Sequence, residues 1–406
     1  MGVIKVITIS KRAELAVKGG HPWVYGTEVE ACPADIKPGD IVRVLSKKGK
    51  FIGSGFYNPQ SKITVRIIST NANDVFDDSF WKRRVAYAID YRLQVMRPCD
   101  FNNMRLIFGE ADQLPGLTVD RFEDILSVQI LSLGMELRKE SIINSLIEVL
   151  RKRKLSVSCV YERNDVKIRE LEGISIYKGF FKSPLLKEKE QKTIAHIVEN
   201  GITYNVDVEN GQKTGFFLDQ KFNRLAVGQI AKGKHVLDCF THTGAFALNA
   251  AKGGAASVTA VDISEEAVTM TQHNAVQNTY KIDVVKADVF DYLVTLDKTH
   301  NHFFDYIILD PPAFSKSRQT IHEAFRGYKE INYRAMKVLP RGGYLATCSC
   351  SHFMSEELFI KMLKEAARDA GVTLKQIAAR QQAPDHPIIM TIPETYYLKF
   401  FLFQIV

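Results

Sequence analysis

Short runs of alternating hydrophobic and polar residues fill the first seventy positions of the chain. Glycine and proline turn signals separate these runs, a spacing that predicts a compact β-barrel. The predicted strands are Val3 to Ile9, Asp40 to Leu45, Phe51 to Phe56 and Ile63 to Ile68. Beyond the barrel, apolar residues recur at helical spacing and predict a helix over Asp77 to Arg97.

A second pattern, from about Met104 to Phe181, combines strands with a single helix. The predicted order is two strands, a helix and two strands, which indicates a small α+β domain. Its predicted features are a strand before the turn Leu114-Pro115-Gly116, then a strand over Ile125 to Leu131, a helix over Ser141 to Leu150, and strands over Val157 to Tyr161 and Ile174 to Tyr177.

From about Gly201 onward, strands and helices alternate, which implies a doubly wound, mostly parallel α/β sheet. The predicted strands are His235 to Cys239, Ser257 to Val261, Ile282 to Lys286, Phe304 to Asp310, Gly343 to Cys348, Thr373 to Ala378 and Tyr396 to Gln404. The predicted helices are Ala245 to Lys252, Glu265 to Val276, Tyr328 to Val338 and Glu356 to Ala370. We therefore expect three domains, at residues 1–72, 73–195 and 196–406.

The composition of the 406 residues is that of an ordinary globular protein, with 46% hydrophobic and 25% charged residues. It excludes a disordered, collagenous or membrane-embedded chain, because no apolar run approaches the roughly 20 residues that cross a bilayer. The six cysteines are scattered and no signal peptide is visible, so we expect a reduced, cytoplasmic protein. The net charge of +8 favours a polyanionic partner, with nucleic acid ahead of a membrane surface.

Carboxylates follow three successive strands of the predicted parallel sheet, where such sheets bind ligands. Asp238 opens a loop with Gly244, Asp262 ends the second strand 24 residues after Asp238, and Asp288 ends the third. Asp262 is placed to accept hydrogen bonds from ribose hydroxyls, and Asp288 to accept one from an adenine amino group. Each carboxylate alone has the alternative of a helix N-cap, but together they favour adenosine binding. The absence of a G-x-G-x-x-G pattern argues against a nicotinamide or flavin cofactor.

Together with Asp310-Pro311-Pro312, these loops resemble the motifs of class I S-adenosylmethionine-dependent methyltransferases. The resemblance is closer still to bacterial large-subunit rRNA methyltransferases of the RlmI type, which are cytosine carbon-5 enzymes. It spans nearly the whole chain and also rests on the segments His21 to Tyr25, Gly109 to Phe122 and Lys213 to Gln220. It implies a PUA-like RNA-binding barrel at the N-terminus, S-adenosylmethionine as cofactor, S-adenosylhomocysteine as product, ribosomal RNA as partner, no membrane or metal, and a homodimer.

The resemblance also implies a cofactor pocket, one wall of which is the stretch from Lys213 to Arg224. The implied cofactor-binding residues are Lys213, Phe217, Gln220, Arg224, Asp238, Phe240, Thr243, Gly244, Asp262, Ile263, Asp288, Val289, Phe290 and Asp310. Within this set, Lys213 and Arg224 are the candidates to face the methionine carboxylate, since a buried carboxylate needs cationic or N–H partners. The alternative is a simple hairpin turn at Gly211 to Gly215, followed by a capped helix over Asp219 to Ala231.

Catalysis at carbon 5 of cytosine requires a nucleophile, because that carbon does not attack a methyl donor unaided. A cysteine thiolate that adds to carbon 6 makes carbon 5 nucleophilic, and an acid near the ring nitrogen neutralises the developing charge. The resemblance places the nucleophile at Cys350 and a core residue at Cys348, and Asp310 suits the acid role. Pro311, Pro312 and Phe314 are the candidate substrate-binding residues, with Phe314 stacking on an extruded base.

Several alternatives remain open at this level. Asp310 can cap the next helix, and Cys350 can be a structural thiol. Related RNA carbon-5 enzymes carry a second cysteine where this chain has Ala313, so the group that removes the carbon-5 proton is not identified. Arg12, Lys18, His21, Trp23 and Arg43 are candidates to hold RNA, although Trp23 is favoured as barrel core. Rival functions are a guanine N-methyltransferase, a non-catalytic RNA-binding assembly factor and, least favoured, an NAD oxidoreductase.

Overall fold

The computed structural model describes residues 5–299, 302–315 and 318–406 of the chain. It divides into two compact units. The first comprises Met1–Ile197, Asn205–Leu218 and Pro384–Thr395, and the second comprises Val198–Tyr204, Asp219–Ala383 and Tyr396–Val406.

The first unit opens with a six-stranded sheet in the order β2-β6-β5-β4-β1-β3, and one helix follows its first strand. The elements are β1 (Val6–Ile9), α1 (Lys11–Lys18), β2 (Trp23–Tyr25), β3 (Val29–Ala31), β4 (Ile41–Ser46), β5 (Phe51–Tyr57) and β6 (Ile63–Ser69). The inward residues of these elements, including Ile7, Val44 and Val65, form one buried core. All four predicted strands are confirmed, although Val3 and Ile4 of the first lie outside the described residues.

The sequence patterns missed helix α1. It has only eight residues, and its N-terminus depends on Ser10, whose hydroxyl accepts a hydrogen bond from the Ala13 amide at 3.3 Å. Because just Ala13, Glu14 and Val17 of the helix are buried, the apolar spacing is too brief to stand out.

The next part of the first unit is a five-stranded sheet in the order β11-β10-β9-β8-β7, with three helices. The elements are α2 (Asp78–Val95), β7 (Asn103–Phe108), β8 (Leu117–Phe122), β9 (Ile125–Ile130), α3 (Leu133–Glu136), α4 (Lys139–Lys152), β10 (Cys159–Asn164) and β11 (Tyr177–Phe180). The prediction of two strands before the long helix is wrong, since three are present. The extra reversal between β8 and β9 uses Glu123, at a φ of 57°, so no glycine or proline marks it.

A two-stranded hairpin of β12 (Ile194–Glu199) and β13 (Ile202–Asp207) follows. The second unit then carries a seven-stranded sheet in the order β16-β15-β14-β17-β18-β20-β19. Its strands are β14 (His235–Cys239), β15 (Ser257–Asp262), β16 (Asp283–Lys286), β17 (Tyr306–Leu309), β18 (Tyr344–Ser349), β19 (Leu374–Arg380) and β20 (Lys399–Ile405). Its helices are α5 (Lys221–Ile230), α6 (Ala245–Lys252), α7 (Glu265–Gln277), α8 (Val289–Lys298), α9 (Ile321–Val338) and α10 (Glu356–Ala370).

Strands β14 to β18 are mutually parallel and β20 is antiparallel to both of its neighbours, which confirms the predicted doubly wound α/β sheet. Alternate residues of each strand face opposite layers. Leu237, Ile307 and Leu345 share one core with helices α8, α9 and α10, whereas Val236, Ile308 and Ala346 share another with α5 and α6. The order of strands reverses between the neighbours β14 and β17, and such a switch point leaves a crevice outside the strand ends.

No helix in the described ranges has the length and apolar character needed to cross a membrane.

Candidate active site

The loop after β14 is built around the Asp238 carboxylate, which is 1% exposed. Its Oδ2 atom accepts hydrogen bonds from the Thr241 hydroxyl at 2.6 Å and from the Ala247 amide at 3.0 Å. Within the described part of the chain, its Oδ1 atom is buried without a hydrogen-bond partner. Burial, together with the charges of Asp310 and Asp262, raises the pKa of Asp238 to about 7.

The same loop holds three residues in the left-handed region of backbone space. Phe240, His242 and Gly244 have φ values of 62°, 52° and 77°. A β-carbon on Gly244 would lie 2.7 Å from Cγ2 of Thr271, so only glycine fits where the loop enters α6. Backbone held in this region by two non-glycine residues is typical of ligand-binding loops.

Helix α7 fixes the loop from the side. The Thr271 hydroxyl donates to the carbonyl oxygen of His242 at 3.0 Å, and the Asn274 amide donates to that of Thr243 at 2.9 Å. Sequence reasoning missed both residues, although polar side chains three apart among the buried positions of α7 were an available signal.

Asp262, at the end of β15, and Asp288, after β16, are both tied to backbone amides. Asp262 accepts from the His242 amide through Oδ2 and from the Ser264 amide through Oδ1, each at 3.0 Å. Asp288 caps α8, as its Oδ1 atom accepts from the amides of Phe290 at 2.8 Å and Asp291 at 3.3 Å. The N-cap alternative for Asp288 is therefore correct, and the cap uses one of its two carboxylate oxygens.

Asp310 follows β17 and does not cap a helix, since α9 starts only at Ile321 and has Thr320 as its N-cap. Its Oδ1 atom accepts a hydrogen bond from the Gln220 side-chain amide at 3.0 Å. Desolvation and the charge of Asp219 raise the pKa of Asp310 to about 6, while Arg224 and a hydrogen bond from the Cys348 thiol oppose the shift.

The two cysteines after Thr347 have different environments. Cys348 is fully buried within β18, as predicted for a core residue, and burial holds its pKa well above the usual value. Cys350 lies just beyond the strand and is partly exposed. Its Sγ atom is 4.0 Å from the carbonyl oxygen of Pro311, which places the thiol beside the loop that carries Asp310.

An aromatic cluster lines the same edge of the sheet. The Phe314 ring is 6.0 Å from that of Phe290 and 4.6 Å from that of Tyr328. Val289 is buried, whereas Pro312 is exposed and Ile263 is 64% exposed. No motif pointed to Tyr328, which the sequence shows only as the first residue of a predicted helix.

The predicted carboxylate-binding cations have partners of their own. Arg224 is 2% exposed and pairs with both oxygens of Glu199, at 2.7 Å from Nε and 2.8 Å from Nη2. Lys213 and Phe217 belong to the first unit, where the Lys213 ammonium lies 4.7 Å from the centre of the Phe217 ring. Contact of these three residues with a cofactor stays a prediction.

Comparison with known proteins identifies the family. The family model of S-adenosylmethionine-dependent methyltransferases matches residues 183–403, and that of PUA-like domains matches residues 7–70. The chain belongs to the S-adenosylmethionine-dependent methyltransferases. Curated relatives of this methyltransferase are named ribosomal RNA large subunit methyltransferase I. That from Pseudoalteromonas translucida is 38% identical over 95% of both chains, and that from Yersinia pseudotuberculosis is 36% identical over 98% of this chain and 99% of its own.

Solved structures agree with the fold of the methyltransferase. A Streptococcus mutans SAM-dependent methyltransferase aligns with a TM-score of 0.81 at 22% identity, over 99% of this chain and 100% of its own. A methyltransferase solved in complex with SAH aligns with a TM-score of 0.82 at 21% identity over the same shares.

The electrostatics of the second unit fit S-adenosylmethionine, the cofactor of this family. Asp219, Asp238, Asp262 and Asp310 contribute four carboxyl groups whose charges act on one another. The cofactor carries a positive sulfonium and a positive amino group, so it relieves this repulsion. The unpartnered Oδ1 atom of Asp238 can accept a hydrogen bond from the amino group, and the open backbone at Gly244 allows close approach.

Proposed function

We propose that this methyltransferase modifies large-subunit ribosomal RNA and forms 5-methylcytosine through a covalent bond between Cys350 and the base. The names of the curated relatives support the RNA substrate, and the PUA-like domain at residues 7–70 agrees with it. The target atom and the thiol chemistry rest on the arrangement of the second unit.

The observation that carries the proposal is the proximity of a partly exposed thiol to a carboxyl group of raised pKa. Cys350 and Asp310 follow the neighbouring parallel strands β18 and β17, and the Cys350 thiol lies beside the carbonyl of Pro311. A base between these loops would meet a nucleophile and an acid at once. An amino- or ring-nitrogen methyltransferase needs no such thiol.

The chemistry follows from these two side chains. The Cys350 thiolate adds to carbon 6 of cytosine, and a bond forms between sulfur and carbon as the ring π electrons shift towards the ring nitrogen. Asp310, whose pKa of about 6 keeps part of it protonated near neutral pH, donates a proton to that nitrogen. Carbon 5 becomes nucleophilic in this adduct. S-adenosylmethionine supplies the methyl group as an electrophile.

Product release reverses the addition. Once carbon 5 carries the methyl group, its proton passes to solvent, the electron pair of that bond forms the carbon 5–carbon 6 double bond, and the bond between sulfur and carbon 6 breaks. The thiolate of Cys350 returns, and the ring nitrogen gives its proton back to Asp310. Phe314, held against Tyr328, offers a ring face on which the extruded base stacks, and the exposed Pro312 stiffens the same loop.

The barrel of the first unit provides the proposed RNA contacts. Arg12 has a side chain 88% exposed, and Arg43 is exposed as well. Trp23, favoured as core, is only half-buried, and its indole N–H donates to Glu110 at 3.0 Å. The proposed partner of this surface is the RNA around the target base. A homodimer and a cytoplasmic location remain expectations of the sequence.

An RNA fragment of the large subunit that contains 5-fluorocytidine in place of cytidine tests the covalent step. Fluorine at carbon 5 blocks the final proton loss, so we expect a stable protein–RNA adduct that survives denaturing electrophoresis and maps to Cys350. The Cys350→Ala variant should form none, while Cys99→Ala, which changes an exposed cysteine, should form as much as the wild type. A wild-type protein that methylates RNA yet forms no adduct would exclude the thiol mechanism.

A further inference from the structure

Lys399 is a buried lysine that neither the motifs nor the proposed chemistry uses. It is 2% exposed and is the first residue of β20, directly opposite Ser349 in the antiparallel pairing with β18. Cys350 directly follows Ser349, the strand partner of Lys399. Lysine is almost never fully buried without a partner, because removing an ammonium group from water is costly.

The hydrogen bonds of Lys399 hold the segment that carries Cys350. Its Nζ atom donates to the carbonyl oxygen of Ser351 at 2.7 Å and to that of Tyr397 at 2.8 Å. No carboxylate forms an ion pair with it within residues 5–299, 302–315 and 318–406. Both acceptors are neutral, so neither of these hydrogen bonds brings the ammonium group a compensating anion.

The Cys350 thiolate can supply that anion. Among the charges that act on Lys399, that of Cys350 has the largest effect, and that of Glu356 at the start of α10 has the next largest. Burial lowers the pKa of Lys399 to about 8, and these charges oppose the shift. The attraction is reciprocal, since a cation that gains from a nearby thiolate must favour the ionised form of that thiol.

We propose that Lys399 is a positioning residue for the thiolate of Cys350: its buried ammonium group stabilises the ionised thiol and fixes the loop that bears it. The thiol proton passes to solvent, which reaches Cys350 because this residue is partly exposed. The use of this thiolate in catalysis rests on the proposed function, whereas its ionisation does not.

Other titratable groups lie near Cys350. Tyr328 approaches from α9, where the charges of Cys350 and Asp310 both act on it, and burial holds its pKa above the usual range. Cys348 lies on β18 with its own pKa raised by burial, and the exposed His352 is two residues beyond Cys350. Lys399 is thus a cation that the structure holds against the segment that bears this thiol.

Alkylation of the full-length protein by iodoacetamide, followed at single peptides by mass spectrometry across pH 5 to 10, measures the thiol directly. The Lys399→Gln variant can still donate to the Ser351 carbonyl. We expect it to shift the pH profile of Cys350 alkylation to higher pH by about one unit. The rate at pH 7 then falls about tenfold. Lys399→Arg should restore the rate to within about threefold of the wild type. The exposed Cys99, read in the same digest, should not change.

An unchanged profile in Lys399→Gln would overturn the proposal, and so would equal profiles for the Gln and Arg variants. The reciprocal measurement keeps the test valid if the Gln variant does not fold. Cys350→Ala should lower the pKa of Lys399, measured by the pH titration of its side-chain NMR signals. An unchanged pKa of Lys399 contradicts the pairing. If the Cys350→Ala variant still methylates RNA fully, the covalent mechanism of the proposed function is wrong. That result would leave the pairing of Lys399 with Cys350 intact.

Discussion

Cys348 and Cys350 are two residues apart, yet their different environments indicate different roles. Cys348 is fully buried within β18, whereas Cys350 is partly exposed beside Pro311. A nucleophile has to reach a base, so burial excludes Cys348 from that role. The predicted strand Gly343 to Cys348 already placed Cys348 inside the sheet, and the resemblance to a family assigned the nucleophile to Cys350.

The cysteine assignment predicts opposite outcomes for two similar variants. Cys350→Ala should lose at least about a thousandfold in turnover, because covalent activation of carbon 5 is removed. Cys348→Ser should keep adduct formation with fluorinated RNA, since the fully buried side chain at this position does not reach the base. Single-turnover methylation and adduct assays check both, with cofactor binding as the control for folding. A Cys348→Ser protein that forms no adduct while Cys350→Ala does would reverse the assignment.

Asp238 predicts a pH dependence of cofactor affinity. Its pKa of about 7 in the ligand-free protein means that ionisation is disfavoured there, and the stability associated with the neutral acid is lost as pH rises through 7. A cationic cofactor reverses this preference and binds the ionised form. We expect the affinity for S-adenosylmethionine to rise about 25-fold between pH 5.5 and 7.5, measured by calorimetry. Asp238→Asn should bind weakly at both values, and a flat wild-type profile would refute this role.

At the scale of the element, the loop between β14 and α6 is a strained turn held in place by α7. Gly244→Ala places a β-carbon 2.7 Å from Cγ2 of Thr271 at a φ of 77°. We expect this change to lower the free energy of unfolding by about 1–3 kcal/mol and to weaken cofactor binding. Gly233→Ala is the matched control, since its φ is 72° but nothing lies within 4 Å of the added carbon. Equal losses in the two variants would mean that contact with Thr271 is unimportant.

An ion pair between Glu199 and Arg224 joins strand β12 to helix α5. Glu199 is fully buried and accepts both hydrogen bonds from Arg224. Glu199→Gln leaves the guanidinium charge buried without an anion, so we expect a loss of about 3–5 kcal/mol in denaturant unfolding. The double variant Glu199→Met with Arg224→Met should lose less than the single one. A larger loss in the double variant would show that packing, not the unpaired charge, sets the cost.

Elements with strong periodicity were predictable from the sequence, and those fixed by local capping were not. The strand β14 and the helices α6 and α10 have the predicted bounds. Burial on one face sets the apolar spacing of α10, whereas β14 and α6 are short apolar runs that are buried almost throughout. Helix α8 was not predicted, because its first residues were interpreted as ligand contacts. The residue that caps its N-terminus is Asp288, which was also interpreted as a ligand contact. The strand-end carboxylates were predictable from order along the chain. The partners Glu199 and Lys399 were not, since each meets its contact from a distant strand.

At the scale of the whole molecule, the net charge of +8 and the PUA-like barrel agree with an RNA substrate. We expect affinity for large-subunit rRNA to fall steeply with salt, as phosphate contacts release counterions. Arg12→Gln, at a site whose side chain is 88% exposed, should reduce the slope of log affinity against log salt by about one. Lys361→Gln, on the exposed face of α10, is the charge-matched control. Equal slopes for both variants would remove Arg12 from the RNA surface.

Identification of the methylated nucleoside decides whether carbon 5 of cytosine is the target of this methyltransferase. Purified protein is incubated with unmodified large-subunit rRNA and isotope-labelled S-adenosylmethionine, and the RNA is digested for mass spectrometry. We expect the label in 5-methylcytidine with the wild-type protein and no label with Cys350→Ala. Label in a methylguanosine would contradict this expectation, because that chemistry leaves Cys350 without a function.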